Sequence, residues 1–167
     1  MTAPLMVNVA GHLVGAGFAV LRFNFRGVGE SGGTWSNGVG EVDDIAAAVD
    51  AAVTEHPDLP LGIAGWSFGA ATSLRWQARE RSTLHYAGIA PPVSSDLTPP
   101  LPRPHELAPA RRTFILGDRD QFVTVGDLEQ YAASVGGELQ VMRGSDHFFY
   151  FREERVAALV AEALRQP

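Results

Sequence analysis

Five residues, Gly65-Trp66-Ser67-Phe68-Gly69, constrain this chain more than any other feature. They fit the pattern G-x-S-x-G, and their surroundings give the pattern weight. The apolar run Leu61 to Ala64 leads in as a strand, and the amphipathic stretch Phe68 to Glu80 leads out as a helix. A serine on such a strand-to-helix turn is lifted above the sheet edge, and small residues two positions to either side let the backbone crowd together. The same turn aims the Phe68 backbone N–H at an oxyanion, and the helix start adds positive potential. The plainer reading is a glycine-rich turn holding an incidental serine.

The rest of the chain reads as alternating strands and helices. A helix is expected over Met6 to Val14, stopping at Gly15-Ala16-Gly17, followed by a strand over Phe18 to Phe25 and a glycine-rich loop over Arg26 to Gly40. A second helix opens at Glu41-Val42-Asp43-Asp44 and reaches about Glu55, with its acidic residues at the positive end. Beyond the serine, Leu84 to Ile89, Thr113 to Leu116 and Leu139 to Met142 read as strands, and helices are expected near Val125 to Ser134 and Arg152 to Arg165. This makes about five strands in a mostly parallel sheet covered on both faces, a three-layer α/β sandwich. Ala90 to Arg112, rich in proline, is too poor in apolar periodicity for a helical lid and is expected to be an irregular covering loop.

Composition narrows the possible functions. With 167 residues, one domain over 1–167 is expected. Thirteen basic against nineteen acidic residues, a formal charge of −6, leave no basic run to track nucleic acid. The absence of cysteine removes disulfides, thiolate metal sites and a cysteine nucleophile, and permits a cytoplasmic location. The apolar start, Met1 to Val20, lacks a basic leading segment and is broken by polar residues and glycines, so neither a signal peptide nor a membrane span is expected.

A serine nucleophile needs a base, and the base needs an acid to hold its tautomer. Of five histidines, His147 in Gly144-Ser145-Asp146-His147-Phe148-Phe149 lies just past the last strand, where parallel sheets build their sites. His12, His56, His85 and His105 sit in a helix, at a helix end, in a strand and in the proline-rich loop. The acid should fall between serine and histidine in chain order. Leu116-Gly117-Asp118-Arg119-Asp120 offers Asp120, preferred because it can turn back across the sheet edge, and Asp118, which could instead cap the turn. Asp146 reads as a loop-bonding carboxylate. Trp66, Phe68, Phe148 and Phe149 could line an apolar groove, although aromatic residues are more often core.

Taken together, Leu21 to Ser31, Gly38-Val39-Gly40-Glu41 with Asp43-Asp44, Gly65 to Ala70, Ala90-Pro91-Pro92-Val93, Gly117 to Asp120 and Gly144 to Phe149 resemble the α/β-hydrolase superfamily, and within it the small lidless bacterial serine hydrolases. The resemblance spans nearly the whole chain. It implies Ser67, Asp120 and His147 as nucleophile, acid and base, the Phe68 N–H as oxyanion donor, a small acyl substrate and no cofactor. It also makes Arg26 to Gly33 a mainly structural loop beside the site. Relatives carry a further strand and an oxyanion loop before the Met6-Val7-Asn8 region, so the chain is expected to be an N-terminally shortened form. In the family's sheet the third strand lies between the strands that correspond here to Phe18 to Phe25 and Leu61 to Ala64. Without it, an unpaired edge favouring self-association is expected, and loss of the second oxyanion donor would cost about a hundred- to a thousandfold in rate. A shallow site suited to short acyl groups follows from the lack of a lid. A weakly active protein acting by interaction, or a peptidase or thioesterase on the same residues, are the alternatives.

Overall fold

In the computed structural model, residues 3–96 and 98–165 are described. Helix α1 spans Pro4–Gly15 and starts earlier than its apolar pattern, because proline at the first turn gives up an N–H the helix does not need. Leu5, Val9 and Leu13, four residues apart, form its buried stripe. The end is closed by the Ala16 N–H on His12 and Leu13 carbonyls and by the Phe18 N–H on Leu13.

Four strands follow the expected runs: β1 Gly62–Trp66, β2 His85–Ile89, β3 Arg112–Gly117 and β4 Glu138–Met142. They are all parallel, in the order β1-β2-β3-β4. Helices α2 (Glu41–Glu55), α3 (Phe68–Glu80), α4 (Val125–Ser134) and α5 (Glu153–Leu164) complete the alternation. Helix α1 packs on α5 and α2 on α3, while α3 and α5 each lie against β1 and β2. The main core gathers Leu74, Tyr86, Phe114, Leu128 and Val160 from α3, β2, β3, α4 and α5, all fully buried. Between β2 and β3 the proline-rich connection is irregular apart from one short turn of 3₁₀ helix at Pro104–Glu106, and Leu97 within it lies outside the described residues.

The expected strand at Phe18 to Phe25 is not one. Phe18 and Val20 pack against the main core, while Phe23 and Phe25 join a second cluster with Val42, Ile45 and Trp76, the alternation of a strand covered on both faces. A strand also requires a neighbour to complete its ladder, and among the described residues β1 pairs only with β2. The apolar pattern is therefore satisfied by packing without a ladder. Every β3 residue is buried, whereas β1 is mostly half-buried, as an outer strand is.

Two carboxylates at the start of α2 fasten the glycine-rich loop. Asp44 accepts from the Arg26 backbone N–H at 2.9 Å and from its guanidinium at 2.7 and 3.0 Å. Fully buried Glu41 accepts from the Ser36 N–H and hydroxyl, at 2.7 and 2.8 Å, and from the Gly38 N–H at 2.9 Å. Burial alone would raise the Glu41 carboxyl, but these bonds outweigh it and hold it below its ordinary value. The Arg26 hydrogen bonds hold Asp44 below its own, against a smaller effect of burial. Because both folded values lie beneath the unfolded ones, their stabilisation is complete above about pH 4–5 and is lost as pH falls through the lowered values. The melting temperature should fall steadily on acidification below that range, and Glu41→Gln should flatten the fall; an unchanged profile in the variant would show that Glu41 does not carry it.

Candidate active site

The carboxyl ends of the strands lie in register, Trp66 beside Ile89 and Gly117 beside Met142, so the loops that follow share one edge of the sheet. Ser67 occupies the turn between β1 and α3 with φ of 52° and ψ of −118°, a left-handed conformation that a serine adopts only when its surroundings enforce it. Its N–H donates to the Ile89 carbonyl at 2.7 Å. Gly65 makes the turn possible, since a Cβ there would meet the Ala70 nitrogen and the Gly69 carbonyl carbon at 2.6 Å. Gly69, expected to matter equally, has room: a Cβ would meet nothing nearer than Phe25 at 3.9 Å. Gly65→Ala should therefore destabilise the fold by about 2–3 kcal/mol and lower the melting temperature by about 5–10 °C, while Gly69→Ala changes it far less. Equal effects in thermal melts would refute this account of the turn. Phe68 opens α3, and the first N–H groups of a helix have no acceptor within it.

At the end of β3, Gly117 lets the chain pass directly over the Ser145 carbonyl, a space that any side chain would fill. The two loops are then stitched together. The Arg119 N–H donates to Ser145 O at 2.9 Å, and Asp118 Oδ1 accepts the Gly144 N–H at 2.6 Å. Asp120 divides its oxygens. Oδ1 accepts from the N–H groups of Phe122 and Val123, at 2.8 and 3.0 Å, and Oδ2 lies 2.7 Å from His147 Nδ1. His147 Nε2 lies 2.9 Å from Ser67 Oγ. The Asp120 carboxylate is wholly buried and the imidazole nearly so, which fixes the ring between its two partners. The His147 backbone is held as well, its carbonyl by Trp66 Nε1 at 3.1 Å and its N–H by Gln121 Oε1 at 3.3 Å.

The structure thus brings Ser67, His147 and Asp120 into one chain of contacts and sends Asp118 and Asp146 to backbone duties, Asp146 Oδ1 accepting from Phe148 and Phe149 N–H. His12, His56, His85 and His105 lie in α1, at the end of α2, at the start of β2 and in the short 3₁₀ turn. Trp66 and Phe148 do border His147, with ring centroids 5.7 and 5.6 Å away. Phe149 does not line the site. Its φ of 54° turns the side chain into the main core, where it is fully buried. The residue that sequence reasoning missed is Phe122, 4.9 Å from the imidazole and 65% exposed; its one signal was its place two residues after Asp120. Among the described residues no three His, Asp or Glu side chains converge as metal ligands would, and no helix is long and apolar enough to cross a membrane.

A parallel sheet flanked by helices, carrying a left-handed serine between strand and helix, defines an α/β serine hydrolase. The chain belongs to the family described as serine aminopeptidase, S33, which matches over residues 2–114. That span includes Ser67 but neither Asp120 nor His147. Protein RP471 of Rickettsia prowazekii is 32% identical, covering 98% of this chain and 72% of its own length. An α/β serine hydrolase homologue from Coxiella burnetii superposes with a TM-score of 0.85 at 29% identity, over 99% of this chain and 78% of that one. XC6422 from Xanthomonas campestris, an α/β serine hydrolase without a lid, superposes with a TM-score of 0.81 at 29% identity, over 100% and 77%.

Proposed function

We propose that the chain hydrolyses esters through an acyl-enzyme on Ser67. The observation that carries this is the unbroken path from Asp120 Oδ2 through His147 to Ser67 Oγ, at 2.7 and 2.9 Å. His147 takes the Ser67 proton as Oγ attacks the carbonyl carbon, Asp120 holds the ring with Nε2 free to accept, and the Phe68 N–H receives the oxyanion. Collapse of the tetrahedral adduct expels the alcohol, to which His147 returns the proton. Water then repeats the sequence on the acyl-enzyme and releases the acid.

The family's description raises an aminopeptidase as the second reading. Such an enzyme must bind a free α-ammonium, and a carboxylate is the natural partner. The carboxylates on the loops after β3 and β4 that surround His147, Asp118, Asp120 and Asp146, are already engaged with backbone N–H groups or His147. An ester needs no such group, and it is the reading the site supports better.

The test is intact-mass labelling with a fluorophosphonate, followed by side-by-side assay of an ester and an aminoacyl amide. One adduct on the parent protein, none on Ser67→Ala and faster turnover of the ester would support the proposal. A folded parent that takes no adduct would overturn it. The outer edge of β1 carries a further proposal, self-association of two copies through it. Sedimentation velocity should show the weight-average coefficient rising with protein concentration, and a constant monomer value would rule this out.

A further inference from the structure

We infer that the site selects esters by an apolar, preferably aromatic, alcohol portion, which rests on Phe122 and Phe148; the inference builds on the Ser67 acyl-enzyme reading. Its starting point is where the leaving oxygen must go. To receive the proton, that oxygen has to come within hydrogen-bonding reach of His147 Nε2, so the group attached to it lies against whatever surrounds the imidazole. The acyl carbon, by contrast, is bonded to Ser67 Oγ, with its oxygen turned toward the Phe68 N–H.

What surrounds the imidazole is aromatic. Phe122 stands edge-to-face with it at 4.9 Å and Phe148 at 5.6 Å, and Tyr150 stacks on Phe148 at 5.7 Å with 23° between the planes. All three are exposed, Phe122 by 65%, Tyr150 by 58% and Phe148 by 37%. Single exposed apolar residues are ordinary, but a contiguous group of rings beside a reacting histidine is a binding surface. These rings are also held in place. The Phe122 N–H is clamped by Asp120 and the Phe148 N–H by Asp146, so the surface is set by the same turns that set the acid and the base. Apolar surface fixed in advance loses little entropy on binding.

The experiment compares ethyl, cyclohexylmethyl and benzyl acetate, whose alcohols are of similar acidity, with ethyl octanoate as the test of the acyl side. Benzyl acetate is expected to exceed ethyl acetate in kcat/KM by about tenfold. In Phe122→Ala and Phe148→Ala the benzyl-to-ethyl ratio should fall by about three- to tenfold each, with partial recovery in Phe122→Leu. Benzyl alcohol should also inhibit the parent competitively, and more weakly in the variants. A ratio unaltered by either substitution, even if both rates fall together, would mean that the rings merely support His147 and would overturn the inference while leaving the ester reading intact. A loss confined to ethyl octanoate would place the rings on the acyl side and overturn it equally. A parent inactive on every ester and unlabelled by fluorophosphonate would remove the ester reading, and this inference with it.

Discussion

Ser67→Ala and His147→Ala are each expected to lower kcat for ester hydrolysis by about four to six orders of magnitude, and the double variant by no more than either alone. The reason is that the two side chains perform one act. At 2.9 Å, His147 Nε2 is placed to remove the proton as Ser67 Oγ forms its bond; without the base the hydroxyl is a poor nucleophile, and without the hydroxyl the base has no proton to take. Groups that work as a unit are grossly non-additive when removed. Neither substitution should disturb folding, because Ser67 shapes its turn through its backbone and His147 through its carbonyl and N–H. Steady-state kinetics on the four proteins decides the matter. A double variant worse than both singles by a further large factor would show two independent contributions and a different mechanism.

How much of this was legible in the sequence depends on the range of the interactions involved. The turn at Ser67 was legible because its causes are local: an apolar strand, a glycine, a serine and a helix in immediate succession. Asp44 could be read as a helix-start carboxylate, but not as the anchor of Arg26, since that pairing spans 18 residues. Loop geometry favoured Asp120 over Asp118 without removing the second; the contacts that separate them run to Gly144 and His147, more than twenty residues away. Phe18 to Phe25 carries the pattern of a strand and the packing of one, yet its state turns on a neighbour that no pattern within the segment can supply. Phe149 failed for another reason. In Phe148-Phe149-Tyr150 the residue types are alike, and only a positive φ at Phe149 sends one ring inward and leaves the others exposed.

Asp120 offers the sharpest separation of fold from chemistry, because its two oxygens serve different purposes. Asp120→Asn keeps an acceptor for the Phe122 and Val123 N–H groups, so the turn should survive and the melting temperature should hold within about 2 °C. The amide nitrogen then takes the place of Oδ2 and presents a donor to His147 Nδ1. That forces the proton onto Nε2, the wrong tautomer for accepting from Ser67, and kcat should fall by about 10,000-fold. Asp120→Ala removes both functions: activity should fall comparably, and the loss of the clamp should cost about 1–2 kcal/mol, or about 3–6 °C. The contrast between the two variants is the decisive reading. If Asp120→Asn kept near-parental kcat, the 2.7 Å contact to His147 would be structural only, and another group would have to orient the base. If instead it lost stability as well as activity, the turn would depend on the charge of the carboxylate and not on its shape, and the two roles of Asp120 could not be separated.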